Sequence, residues 1–178
     1  MTKKRLIFLI SKIGLQIRIL RLQLQKQILK QRVTIPNNKI LGVVVHHGAG
    51  NWNFKQVNLS HKNSWGFKSS LGYYCGYHKF IEFDGTLHIA RRDRETGAHT
   101  VGNIPHYYND HFIGICLQGN TEEKSPTEEQ LRVLKKELDK YRKAGLKILY
   151  HGQVSATLCP GRYLREWVKS YLNRHIEA

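Results

Sequence analysis

The sequence predicts an α/β domain, a single mixed β-sheet flanked by helices, preceded by a basic, apolar helical arm. Three observations carry that prediction. Runs dense in β-branched and apolar residues, "GVVVHH", "FIGICL" and "KILYH", read as buried strands. Segments of helical period are interspersed with them, as in an α/β layer architecture. The first 35 residues are rich in Leu, Ile, Gln, Lys and Arg, with one Gly and no Pro, which favours helix.

In the arm, Leu6, Ile10, Ile13, Ile17, Leu20 and Leu24 step by four and three, as in a coiled-coil seam. Phe8, Leu15, Leu22 and Leu29 make a second apolar line on another face. A helix with two apolar faces wants more than one neighbour, so oligomerisation, docking on the rest of the chain and contact with a membrane surface are all open. Lys12, Arg18 and Arg21 interrupt any run long enough to cross a bilayer. "MTKKR" resembles the start of a signal peptide, but the apolar "LIFLI" is short and no A-x-A site follows, so the export route stays open. Pro36-Asn37-Asn38 is a turn signal and sets the expected boundary between an arm, 1–35, and a globular domain, 36–178.

Beyond that boundary, "KILGVVVHHGAG" reads as a buried strand ending in a Gly-containing loop, with His46 and His47 where the strand stops. A short helix is expected over residues 54–63. Two strand-like runs flank Asp84-Gly85, a strong hairpin signal, and "HFIGICLQG" is a further buried strand. A helix follows, with Ser125 as N-cap, Pro126 in the first turn and Glu128 closing a capping box. Its apolar stripe is Leu131, Leu134, Leu138 and Tyr141, and Gly145 stops it. "KILYH" is a strand ending at His151, and "GRYLREWVKSYL" a terminal helix.

The chain has 178 residues, 40% of them apolar, enough for one good core. Its formal net charge is +16, and no acidic residue precedes Glu82. Such a field attracts nucleic acid, anionic lipid or an acidic wall polymer without choosing among them. Cys75, Cys116 and Cys159 are odd in number and widely spaced, which argues against a disulfide framework and leaves at least one thiol for chemistry. Cys116, inside its apolar run, reads as a small buried side chain.

His151 and Cys159 share the loop "HGQVSATLCPG". Structural zinc sites take four protein ligands in short-spaced pairs, and no such pair of pairs exists in this chain. His151, Cys159 and one histidine from a neighbouring strand would make three ligands with a fourth position left for water, the pattern of a catalytic zinc. The end of the "VVVHH" strand supplies that histidine. Strand side chains alternate faces, so only one of His46 and His47 can serve. His88, His106, His111 and His175 are read as ordinary surface or core residues. No Glu neighbours either ligand motif, which excludes an H-E-x-x-H site.

Five segments taken together, "VVVHHGAG", "GYHKFIEFDGTLHIARRDRETGAHT", "NDHFIGICLQGN", "PTEEQLRVL" and "HGQVSATLCPG", resemble the type 2 zinc-dependent N-acetylmuramoyl-L-alanine amidases, the family of phage amidase endolysins and peptidoglycan recognition proteins. The resemblance runs from Lys39 to Trp167, in the family's order and spacing. It implies Zn2+ held by His46, His151 and Cys159, and hydrolysis of the amide between N-acetylmuramic acid and L-alanine. It places Tyr77 beside the metal. It puts Thr157 where some phage enzymes have a lysine and amidase-active recognition proteins a threonine, a departure from the lysine pattern that leaves the proton donor to the leaving amine open. Tyr77 and Thr157 are the expected catalytic hydroxyls, donors to a developing oxyanion. His47, His99 and Asn109 are candidates for the substrate groove, with a structural hydrogen-bonding role preferred for Asn109, and His78 is read as structural.

The implied partner is peptidoglycan, an anionic polymer that suits the basic charge, and the implied place of action is the cell envelope or beyond it. A non-catalytic peptidoglycan-binding module of the same fold is the alternative. Binding-only relatives typically replace the ligand cysteine, whereas all three implied ligands are present in this chain. No zinc-finger spacing or recognition helix is visible in the globular part, so no specific nucleic-acid partner is expected.

Overall fold

The computed structural model describes residues 14–23, 39–102, 104 and 106–174. Residues 14–23 are helical (α1), and every one of them is exposed, including Leu15, Ile17, Leu20 and Leu22 of the two apolar lines. The rest of the arm and the turn at Pro36 lie outside the described residues. No described helix is long and apolar enough to cross a membrane.

The sheet has five strands: β1 (Gly42–His47), β2 (Lys79–Ile81), β3 (Leu87–Ile89), β4 (Phe112–Leu117) and β5 (Lys147–Tyr150). Their order is β3-β2-β4-β1-β5. β1 pairs in parallel with β4 and β5, β2 in parallel with β4, and β3 antiparallel with β2, so the sheet is mixed. The β2–β3 hairpin turns at Asp84-Gly85, where Gly85 adopts φ +84 and Asp84 Oδ1 accepts the Thr86 N–H at 2.8 Å. The helices are α2 (Phe54–Ser64), α3 (Tyr107–His111), α4 (Glu128–Lys143) and α5 (Arg162–Asn173), and a single 3-10 turn, His151–Gln153, follows β5.

Strand alternation divides the core. Val43 and Val45 of β1 join Ile113, Ile115 and Leu117 of β4 under Leu134, Leu138 and Tyr141 of α4 and Leu164, Val168 and Tyr171 of α5. Val44 packs on the opposite face with Phe112 and Val154. His46, two residues beyond Val44, therefore emerges on the face away from α4 and α5, at the end of a strand buried along its whole length.

The start of α4 differs from expectation. Its N-cap is Thr127, whose Oγ1 accepts the Gln130 N–H, and Gln130 completes the capping box in place of Ser125 and Glu128. Both frames fit the sequence "SPTEEQ", and tertiary bonds choose between them. Thr127 Oγ1 donates to the Phe83 carbonyl at 2.7 Å. The fully buried Gln130 amide donates to the carbonyls of Ile81 and Gln118 at 3.2 and 2.9 Å. Moving the cap to Ser125 would take the Gln130 amide from the Gln118 carbonyl and leave the Ile81 carbonyl with the Gln118 N–H alone.

Candidate metal centre

β1 and β5 are neighbouring parallel strands, with Val45 opposite Tyr150. The next residue of each, His46 and His151, therefore emerges at the same end of the sheet, and their rings lie 4.5 Å apart between centroids. The chain after the 3-10 turn loops back to bring Cys159 Sγ within 3.7 Å of His46 Nδ1. One nitrogen from each histidine and this sulfur all lie within 4.8 Å of one another. No carboxylate belongs to the group.

These three donors fit zinc. Bond lengths of about 2.1 Å to nitrogen and about 2.3 Å to sulfur at a tetrahedral ion separate the two donor atoms by about 3.6 Å, close to the distance found between His46 and Cys159. Two imidazoles and a thiolate without carboxylates are a set for a borderline-soft ion rather than for calcium or magnesium. The electrostatics agree. His46 is 1% exposed, and burial, reinforced by His99 and His151, holds its pKa well below the ordinary 6.5, so its ring is neutral and able to ligate. Burial pushes the Cys159 thiol up to about 12, against the opposing bond from the His47 N–H. Without a cation that sulfur keeps its proton; a divalent ion inverts the balance.

His47 points the other way. Its Nδ1 accepts from the Thr121 N–H at 3.1 Å, with Thr121 Oγ1 at 3.2 Å, while its backbone N–H donates to Cys159 Sγ at 3.5 Å. The Tyr77 ring centroid lies 5.3 Å from that of His46. Burial holds its hydroxyl pKa well above the usual 10, which keeps it a donor. Thr157, exposed, accepts the Cys159 N–H on its Oγ1 at 3.2 Å, leaving the hydroxyl proton free to donate.

His99 and Asn109 lie beneath the cluster. His99 is 6% exposed, with Nδ1 at 3.0 Å from His46 Nε2 and Nε2 at 3.0 Å from the Phe112 carbonyl. Asn109 Oδ1 accepts the backbone N–H groups of His99 and Thr100. His78, fully buried, donates from Nε2 to the Glu95 carbonyl and accepts the Gly114 N–H on Nδ1. One participant was not evident from the sequence: Thr100 Oγ1 lies 2.8 Å from His151 Nε2. Its only signal is its place after His99 in "GAHT".

A family model described as N-acetylmuramoyl-L-alanine amidase matches residues 36–162. The chain is 35% identical over 103 residues to peptidoglycan-recognition protein SD of Drosophila melanogaster, covering 55% of this chain and 53% of that protein. It is 33% identical over 101 residues to the endolysin of Escherichia phage T7, covering 52% of this chain and 62% of that one. The match thus spans only about half to three-fifths of these relatives' own length. Among solved structures, the N-acetylmuramoyl-L-alanine amidase LysC from Clostridium intestinale superposes with a TM-score of 0.62 at 28% identity, covering 76% of this chain and 86% of that one.

Proposed function

The chain belongs to the N-acetylmuramoyl-L-alanine amidase family, and from that membership we propose that it is a zinc-dependent hydrolase cleaving the amide between N-acetylmuramic acid and L-alanine in peptidoglycan. The observation that carries the reading is the convergence of His46, His151 and Cys159, which offer three donors where a tetrahedral ion has four positions. Bound zinc supplies Lewis acidity there, polarising an amide carbonyl and bringing a water within reach of ionisation near neutral pH.

The protein's own groups do the rest. His46 and His151 serve as neutral imidazoles and Cys159 as the anionic ligand. Tyr77, kept protonated by its burial, donates to the oxygen that becomes negative. The free Thr157 proton is a second donor at the mouth of the site. Val101 and Leu158, which follow Thr100 and precede Cys159 in the chain, are 90% and 68% exposed and offer apolar surface to a glycopeptide. The +16 charge draws the enzyme to an anionic wall polymer, so it acts at the cell wall. The division into an arm, 1–35, and a catalytic unit, 36–178, belongs to the same proposal, with the family match beginning at residue 36. The arm's role is assembly or contact with a membrane surface.

The likeness to a peptidoglycan-recognition protein favours a second reading, a module that binds peptidoglycan without cleaving it. Incubating purified peptidoglycan with the full chain and analysing the soluble products by mass spectrometry separates the two. Free peptide stems beginning with L-alanine are expected; retention of the polymer with no stems released would put the binding module in front.

A further inference from the structure

We propose that the dipeptide His99-Thr100, clamped by Asn109, orients both histidines of the metal centre, so that Asn109, His99 and Thr100 are positioning residues for metal binding. The inference rests on the zinc reading above and goes beyond it by assigning residues that would touch no metal.

The proton positions follow from one carbonyl. A carbonyl oxygen only accepts, so His99 must carry its proton on Nε2 to bond the Phe112 oxygen. Its Nδ1 is then an acceptor, and His46 must carry its own proton on Nε2 to fill it. That leaves the His46 Nδ1 lone pair facing Cys159 Sγ. On the other side, His151 with its proton on Nε2 donates to Thr100 Oγ1, 2.8 Å away, and keeps its Nδ1 lone pair for a ligand. Each ligating ring is thus held at its outer nitrogen, one by His99 and the other by the very next residue.

Asn109 holds that pair at three points. Its Oδ1 accepts the N–H of His99 at 2.9 Å and of Thr100 at 3.1 Å, and its Nδ2 donates to the Thr100 carbonyl at 2.7 Å. Its own backbone carbonyl accepts the Gly97 N–H at 2.7 Å. The His99 ring also needs two glycines: a Cβ on Gly114 would stand 2.5 Å from His99 Cγ, and one on Gly97 would stand 2.5 Å from His99 Cδ2. Hydrogen bonds to the outer nitrogen of a ligating histidine fix its tautomer and angle, and their loss weakens metal binding by about 10- to 100-fold.

The test is zinc affinity of the full chain, measured by competition with a chromophoric chelator, with the visible spectrum of the cobalt-substituted protein as a second readout. Thr100→Val and Asn109→Ala should each bind zinc about 10- to 100-fold more weakly, with shifted cobalt bands, while Thr100→Ser, which keeps the hydroxyl, stays near wild type. Gln130→Ala, on the far side of the sheet, controls for lost stability and should leave affinity and spectrum unchanged. If Asn109→Ala does not fold, Asn109→Asp retains the acceptor for both N–H groups and sets a carboxylate oxygen against the Thr100 carbonyl in place of the Nδ2 donor. Wild-type affinity and spectrum in Thr100→Val together with either Asn109 variant would overturn the positioning role while leaving the zinc reading intact. A wild-type chain that binds no zinc would overturn both.

Discussion

His78 offers a quantitative test of the buried histidine layer behind the site. Its ring is fully buried and satisfied only as the neutral tautomer, because Nδ1 accepts the Gly114 N–H while Nε2 donates to the Glu95 carbonyl. Protonating Nδ1 would set two donors against each other. Burial is the main cause that lowers its pKa from 6.5 to about 4, opposed by the Glu95 carbonyl and reinforced by Arg91. The folded pKa lies below the unfolded one, so the unfolded chain binds more protons, and the stability is complete above about 6.5 and lost as the pH falls toward about 4. For these two values the loss between about pH 7 and about pH 5 comes to about 2 kcal/mol. Urea unfolding of the metal-free protein, with chelator present so that metal release does not intrude, measures it. His78→Gln removes this titration, whatever it does to absolute stability. The variant should lose about 2 kcal/mol less than wild type over that interval, with the other buried histidines contributing to both. Equal losses in the two proteins would show that His78 does not sit in the fold as a buried neutral ring.

Gly114→Ala should cost about 1–3 kcal/mol in urea unfolding by driving a methyl into His99, since the new Cβ would meet His99 Cγ at 2.5 Å; wild-type stability would show that the ring has room to move. Gln130→Ala should lose about 1–3 kcal/mol, read in the same assay, because the Ile81 and Gln118 carbonyls lose the Gln130 amide as donor. Tyr77→Phe should retain zinc yet release peptide stems about 100-fold more slowly, and full turnover would remove Tyr77 from the oxyanion. A chain lacking residues 1–35 should fold, by circular dichroism, and still release stems; failure to fold would move the boundary of the catalytic unit.

Much of this was legible because it rests on local pattern. The β-branched run before His46, the Asp84-Gly85 turn and the stripe Leu134, Leu138, Tyr141 carry their structural meaning in their own spacing. The cap of α4 was ambiguous, because "SPTEEQ" holds two overlapping capping boxes and the choice depends on carbonyls of Ile81, Phe83 and Gln118, distant in sequence. The same limit applies at the site. Alternation shows that His46 and His47 face apart, but only the register of β1 against β5 sets His46 beside His151. For Asn109 a structural hydrogen-bonding role was legible, but its partners, like the contacts of His99 and Thr100 with the two histidines, join residues that only folding brings near.

The central claim is that His46, His151 and Cys159 hold a metal on which peptidoglycan cleavage depends. The most direct measurement is product analysis of digested peptidoglycan for three samples: wild type, wild type stripped with chelator and then resupplied with zinc, and Cys159→Ala. Stems starting at L-alanine should appear with wild type, vanish with chelator, return with zinc and stay absent in Cys159→Ala. Undiminished release by the stripped protein or by Cys159→Ala would contradict the account.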